Sequence, residues 1–191
     1  CRCLFGPGDE VVVLDPAYVT YEACIASTGA TQVRVQQPAY SGFRPDIDQL
    51  GASITSATRG IVFANPSNPT GVTYTRHELN AIADIAIRND LWVLVDEVYN
   101  DLVFDGVYQS IAGLPGMLER TVTVSSVSKS YAMTGWRCGW AVGPPALMHH
   151  LRRMTLITLY GLPGFVMEAA NVAIRGGSEE VARARETYRR R

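Results

Sequence analysis

Six short runs rich in β-branched residues recur along the chain: VVVL (11–14), TQVRV (31–35), GIVFA (60–64), LWVLV (91–95), TVTVS (121–125) and GWAV (139–142). Several are almost continuously apolar, the pattern of strands buried on both faces. Between them lie segments of helical periodicity. Residues 17–28 run up to Gly29, which suits the C′ position of a helix. Residues 76–88 place Leu79, Ile82, Ala83, Ala86 and Ile87 at helical spacing behind Thr75, a good N-cap. A chain that alternates strands and helices in this way is confined to an open, mostly parallel α/β sheet. From about Pro144 the pattern is helical, with breaks at Tyr160 to Gly164 and at Gly176-Gly177. No repeat, low-complexity tract or linker divides the sequence, so one layered domain is expected.

The 191 residues are 47% hydrophobic and 18% charged, which supplies enough apolar material for the core of a soluble domain. A formal net charge of -1, with charges spread along the chain, gives no footprint for nucleic acid or an anionic membrane. No apolar run approaches the ~18 residues of a membrane span, and the opening CRCLFGPGDE lacks the features of a signal peptide, which makes the cytoplasm the default location. Cys1, Cys3, Cys24 and Cys138 fit neither a CxxC nor a zinc spacing and read as reduced thiols. His77, His149 and His150 have no partners at ligand spacing, so no metal is expected. The chain starts at Cys1 and stops within the basic segment EEVARARETYRRR, so it is expected to be part of a longer polypeptide.

Open α/β sheets bind ligands beyond the carboxyl ends of their strands, which directs attention to the polar residues just past each run. After GIVFA comes NPSNPTG, Asn65 to Gly71. Two prolines and a glycine make a rigid, hydrogen-bond-poor loop, and the amide of Asn68 offers a donor and an acceptor at the sheet edge. After LWVLV comes DEVY, Asp96 to Tyr99. A carboxylate following five apolar residues is costly to bury unpaired, so Asp96 calls for a cation, either an arginine or a protonated pyridine nitrogen. After TVTVS comes SVSKSYAMTGWR, Ser126 to Arg137, whose hydroxyls at Ser126 and Ser128 and guanidinium at Arg137 suit a phosphate. Lys129 lies among them, the only lysine beside sixteen arginines. An arginine stays protonated, whereas a desolvated lysine amine can lose its proton and attack a carbonyl to form a Schiff base. Taken singly, each stretch also reads as an ordinary turn. Together they supply one of each group that a pyridoxal phosphate site requires.

In this order and spacing, PGDEV (Pro7 to Val11), DPAYVTY (Asp15 to Tyr21), NPSNPTG, VDEVY and SVSKSYAMTGWRCGWAVGP resemble the class I and II aminotransferases of the fold-type I pyridoxal-phosphate enzymes, across essentially the whole chain. The resemblance implies a mostly parallel three-layer α/β sheet, with residues 1–191 forming part of the pyridoxal-phosphate-binding large domain. It implies that Lys129 forms the Schiff base and later shuttles the α-proton, that Asp96 pairs with the pyridinium nitrogen, and that Tyr99 and Asn68 bond the phenolate oxygen. Ser126 and Arg137 would hold the phosphate with Ser128 beside them, and Tyr18 falls where the family stacks an aromatic ring on the pyridine. Many relatives carry tryptophan at that position. A helix-entry core aromatic remains the competing reading of Tyr18. An upstream phosphate loop, an N-terminal arm and a C-terminal small domain with the arginine for the substrate carboxylate are expected outside residues 1–191. The helix containing FVMEAA, Phe165 to Ala170, has no glutamine where the family often has one.

The activity implied is transfer of an amino group from an L-amino acid to a 2-oxo acid, by a homodimer with its site between subunits. It requires Lys129 to be neutral when it acts as a base, through surroundings that disfavour its charge. A carbon-sulfur β-lyase shares the cofactor shell, and the effector domain of an aminotransferase-like transcription regulator shares the fold. A dinucleotide-binding domain is poorly supported, because no GxGxxG turn follows the first strand.

Overall fold

The computed structural model describes residues 1–191. The six runs form six strands: β1 (Glu10–Asp15), β2 (Thr31–Gln36), β3 (Thr58–Ala64), β4 (Trp92–Asp96), β5 (Thr121–Ser126) and β6 (Gly139–Val142). They join in one sheet in the order β2-β1-β3-β4-β5-β6. The first five are mutually parallel, and β6 runs antiparallel to β5. Six α-helices accompany them: α1 (Thr20–Ala26), α2 (Ile47–Ala52), α3 (Arg76–Arg88), α4 (Pro145–Thr158), α5 (Gly164–Gly176) and α6 (Ser178–Arg189).

Successive side chains of a strand point to opposite faces, so the apolar runs supply two cores at once. Val12 and Leu14 of β1, Ile61 and Phe63 of β3, and Val93 and Val95 of β4 share one face with Leu79, Ile82, Ala83 and Ala86 of α3. Val11, Val13, Val62, Leu94 and Val122 share the other with Ile25 of α1 and Leu147 of α4. The result is the helix-sheet-helix layering of a doubly covered sheet. Each fully buried aliphatic side chain contributes about 1.5–3 kcal/mol, so these alternating positions dominate the stability of the domain.

Local signals fix the helix ends. Thr75 and Glu78 form a reciprocal capping box at the start of α3, and Glu78 also binds Arg44 at 3.1 Å. Helix α1 begins at Thr20, after Pro16, and ends before a turn closed by Gly29 at φ +83°. A Cβ at Gly29 would lie 2.9 Å from Cγ of Pro7, so both backbone conformation and space call for glycine.

Two features depart from the sequence reading. The six-residue helix α2, capped by the Asp46 carboxylate accepting from the Gln49 N–H at 2.9 Å, was not foreseen. All four residues of β6 are exposed, because this edge strand has no helical layer over it. No helix is long and apolar enough to cross a membrane.

Parallel strands put their carboxyl ends on one edge of the sheet, and the ladders continue one residue into the loops that follow. Asn65 N–H donates to the Asp96 carbonyl at 3.0 Å, and Glu97 N–H donates to the Val124 carbonyl at 2.8 Å. The loops after β3, β4 and β5 therefore start from fixed positions.

Candidate active site

Those strand ends surround a cavity of about 440 Å³ lined by all eight candidate residues: Tyr18, Asn68, Asp96, Tyr99, Ser126, Ser128, Lys129 and Arg137. Tyr18 comes from the β1–α1 turn, Asn68 from the loop after β3, Asp96 and Tyr99 from the end of β4, and the remaining four from β5 and the loop after it. Thr134, which the sequence reading did not single out, lines the same cavity. A second hollow of about 660 Å³ shares Asn68, Tyr99, Ser128, Lys129 and Thr134 with the first and extends toward Leu102, Phe104 and Tyr188.

The loop after β3 divides its two asparagines between support and function. Asn65 is buried: its side-chain oxygen accepts from Tyr74 N–H at 2.9 Å and its amide donates to the Gln109 carbonyl at 3.4 Å. Ser67 N–H donates to the Val72 carbonyl at 2.8 Å, and Gly71 N–H to the Ser67 carbonyl at 2.9 Å. This loop is thus better hydrogen-bonded than its prolines suggested, and Asn68 is the amide it leaves facing the cavity.

At the end of β4, Asp96 has no arginine partner; none of the eight ion pairs includes it. Its Oδ2 accepts from the Tyr21 phenol at 2.9 Å, and its Oδ1 from Val98 N–H at 3.1 Å. Burial above all, then the adjacent Asp96 charge, pushes the Tyr21 phenol far above the usual tyrosine range. Tyr21 was missed because its partner lies 75 positions away in sequence; the one available signal was a second tyrosine three residues after Tyr18, one helical turn on. The two rings meet edge to face, with centroids 5.8 Å apart at 81°.

The neighbouring Glu97 is turned into the protein. It is 8% exposed, accepts from the Ser110 hydroxyl at 2.5 Å, and is raised above the usual carboxylate range by burial, partly offset by the Ser110 hydrogen bond. Alternation at a strand end thus sends Asp96 and Glu97 into different surroundings.

After β5 the chain turns tightly. Ser128 N–H donates to the Ser126 hydroxyl at 3.2 Å, so the two serines brace each other. Arg137 sits in the left-handed region at φ 52°, ψ 40°, and its guanidinium donates to the Thr134 carbonyl at 2.7 Å. That contact occupies one N–H and leaves the rest of the fork free. The Lys129 amine lies over the Tyr99 ring, 5.6 Å from its centroid, within range of a cation–π contact. Lys129 is exposed to the open cavity, so the burial expected to disfavour its charge is not supplied by residues 1–191.

A carboxylate held by two donors, an amine beside a phenol, an amide, paired hydroxyls with a guanidinium, and an exposed tyrosine ring fit pyridoxal phosphate group by group. The model of the family described as aminotransferase class I and II matches residues 1–191. The chain is 47% identical over 190 residues to arginine-pyruvate transaminase AruH of Pseudomonas aeruginosa, covering all of this chain and 48% of that protein. It is 39% identical to the putative aminotransferase YugH of Bacillus subtilis, again over its whole length and 49% of the relative. Among solved structures, N-succinyldiaminopimelate aminotransferase from Mycobacterium tuberculosis superposes with a TM-score of 0.92 at 38% identity, covering 98% of this chain and 50% of that one. Thermus thermophilus aspartate aminotransferase with maleate gives 0.94 at 33% identity, with 99% and 50% covered. The chain spans about half the length of the curated relatives it matches. With the family model covering every residue and the strand-end groups in place, the chain belongs to the class I and II aminotransferase family.

Proposed function

We propose that the whole protein is a pyridoxal-phosphate-dependent aminotransferase that moves an amino group from an L-amino acid to a 2-oxo acid. The observation that carries this reading is the meeting, in one cavity, of eight residues from four separate strand ends, whose groups together suit the phosphate, phenolic oxygen, ring nitrogen, ring face and aldehyde of the cofactor. The relatives named as transaminases and aminotransferases support it.

In this reading Arg137 binds the phosphate through its fork, with the Ser126 and Ser128 hydroxyls beside it. Asn68 and Tyr99 would donate to the phenolic oxygen, Tyr18 would cover one face of the ring, and the Asp96 carboxylate would accept a hydrogen bond from the protonated ring nitrogen. The bound cofactor supplies an electrophilic carbonyl and an electron-accepting ring. The amine of Lys129 would attach the cofactor at rest; once the substrate's own amine displaces it, the freed amine would take the proton from the substrate Cα and return it to the cofactor carbon that receives the amino group. The adjoining hollow shares Lys129 and gives a substrate room to approach it.

A homodimer belongs to the same proposal. The open cavity leaves Lys129 in need of cover, and Phe165, Met167, Val172 and Ile174 of α5 present exposed apolar surface.

The test is to add pyridoxal phosphate to the whole protein, reduce with borohydride and map the modified residue, then assay amino-group transfer, beginning with arginine and pyruvate. A covalent adduct at Lys129 together with transfer is the expected result. An adduct at another residue, or cofactor bound without amino-group transfer to any 2-oxo acid, would overturn the proposal.

A further inference from the structure

We infer that Tyr21 is a positioning residue for Asp96: its phenol holds that carboxylate as the anion, so that a proton shared between Asp96 and a bound pyridine ring stays on the ring nitrogen. The inference rests on the proposed cofactor reading and deepens it.

Asp96 is anchored by two donors, one on each oxygen: Tyr21 on Oδ2 at 2.9 Å and Val98 N–H on Oδ1 at 3.1 Å. No cationic side chain shares in this anchoring. Behind the pair lies a small apolar hollow of about 180 Å³, where Asp96 and Tyr21 meet Ile25, Val62, Leu94 and Val124. A carboxylate set against such a wall relies on hydrogen bonds in place of the water it has lost. Of its two donors, the Val98 amide belongs to the backbone and Tyr21 is the one carried by a side chain.

The phenol is suited to that task. Burial first, and then the Asp96 charge, keep Tyr21 protonated well beyond the ordinary tyrosine range, so it donates and never competes as an anion. Its placement is also coupled to the ring-stacking position. Tyr18, in the turn before α1, and Tyr21, in its first turn, lie three residues apart in edge-to-face contact at 5.8 Å. One short segment therefore presents a ring to the cofactor's face and, through Asp96, sets the charge at its nitrogen.

The proposal separates two states that differ by the position of one proton: a carboxylate beside a pyridinium, and a carboxylic acid beside a neutral pyridine. Each donor to the carboxylate favours the first state. Removing Tyr21 moves the proton toward Asp96 and weakens the hold on the ring nitrogen, while contacts to the phosphate and the phenolic oxygen are untouched.

The experiment uses the whole protein loaded with pyridoxal phosphate labelled with ¹⁵N in the ring, comparing wild type, Tyr21→Phe, Tyr21→His and Tyr18→Phe. The ¹⁵N resonance of wild type and Tyr18→Phe is expected at the pyridinium position. That of Tyr21→Phe should move toward unprotonated pyridine, and Tyr21→His, which keeps a donor, should restore it at least in part. In parallel, dissociation constants are measured for pyridoxal phosphate and for its carbocyclic analogue with C–H in place of the ring nitrogen. Tyr21→Phe should weaken the first about tenfold, corresponding to ~1.4 kcal/mol, and leave the second within about twofold. A packing role would weaken both equally and leave the resonance in place, which overturns the inference. If Tyr21→Phe fails to fold, Tyr21→His decides: a resonance shifted to neutral pyridine despite the retained donor overturns it as well. Wild-type protein that binds neither compound overturns the functional reading itself, an outcome distinct from failure of the Tyr21 inference.

Discussion

At the scale of single residues, the site depends on groups whose neighbours decide their chemistry. On the proposed reading, replacing Lys129 with alanine removes both the point of attachment and the base, so transfer should fall by more than the ~10²–10⁴-fold typical of losing a general base alone. Borohydride should then fix no cofactor to the chain, as read by intact mass. If Arg137 holds the phosphate as proposed, Arg137→Ala removes a charge-assisted contact worth about 1.5–3 kcal/mol and should weaken cofactor binding roughly 10- to 150-fold in an equilibrium titration. Arg137→Lys should recover only part of that, because a point charge cannot reproduce the fork. Glu97 gives a prediction with a definite sign. Burial, opposed by the Ser110 hydrogen bond, raises its folded-state pKa above that of an unfolded glutamate. Its stability contribution is therefore fully present below the ordinary glutamate range and is lost as pH rises through the raised value. Glu97→Gln should lack this decline, so denaturant titrations from acid to mildly alkaline pH should show the variant gaining on wild type as pH increases. A constant difference would refute the assignment. The placement of Lys129 and Asp96 at the strand-end cavity was legible in the sequence, because parallel strands bring the residues after each run to one edge of the sheet. Tyr21 and the pairing of Glu97 with Ser110 were not, since neither partner can be read without knowing which segments the sheet brings together.

At the scale of elements, the strands were the most legible part, because a run buried on both faces has little room for a polar residue. Helix α3 was equally plain, with its apolar stripe and Thr75 as its N-cap. Thr75→Ala should cost about 1 kcal/mol in urea unfolding, the usual loss for a helix N-cap. Gly29→Ala combines a backbone conformation that disfavours a Cβ by ~1–2 kcal/mol with a close approach to Pro7. It should therefore destabilise by at least that amount, and Gly29→Asn should be the milder change, because asparagine tolerates the left-handed region better. What the sequence concealed were the elements whose stability comes from context. Helix α2 is too short for a periodic signal, and β6 has the composition of a buried strand while lying exposed at the sheet edge. Burial is set by the layers around a strand, and composition alone cannot report it.

At the scale of the whole molecule, the exposed side chains of α5 and the uncovered Lys129 both call for further protein surface. The whole protein should have the mass of two chains by light scattering at micromolar concentration; a monomer that retains full transfer activity would refute the dimer. The strand order carries a consequence for synthesis. In chain order β1 and β2 are the first neighbours, and each later strand lies beside one that precedes it: β3 on β1, β4 on β3, β5 on β4 and β6 on β5. The sheet can therefore be laid down from the amino-terminal side as the chain leaves the ribosome, with no strand needing to insert between two already paired. On that schedule Tyr18, Asn68 and Asp96 can be in place before the turn bearing Lys129 emerges, so the lone lysine joins a strand-end edge already laid down.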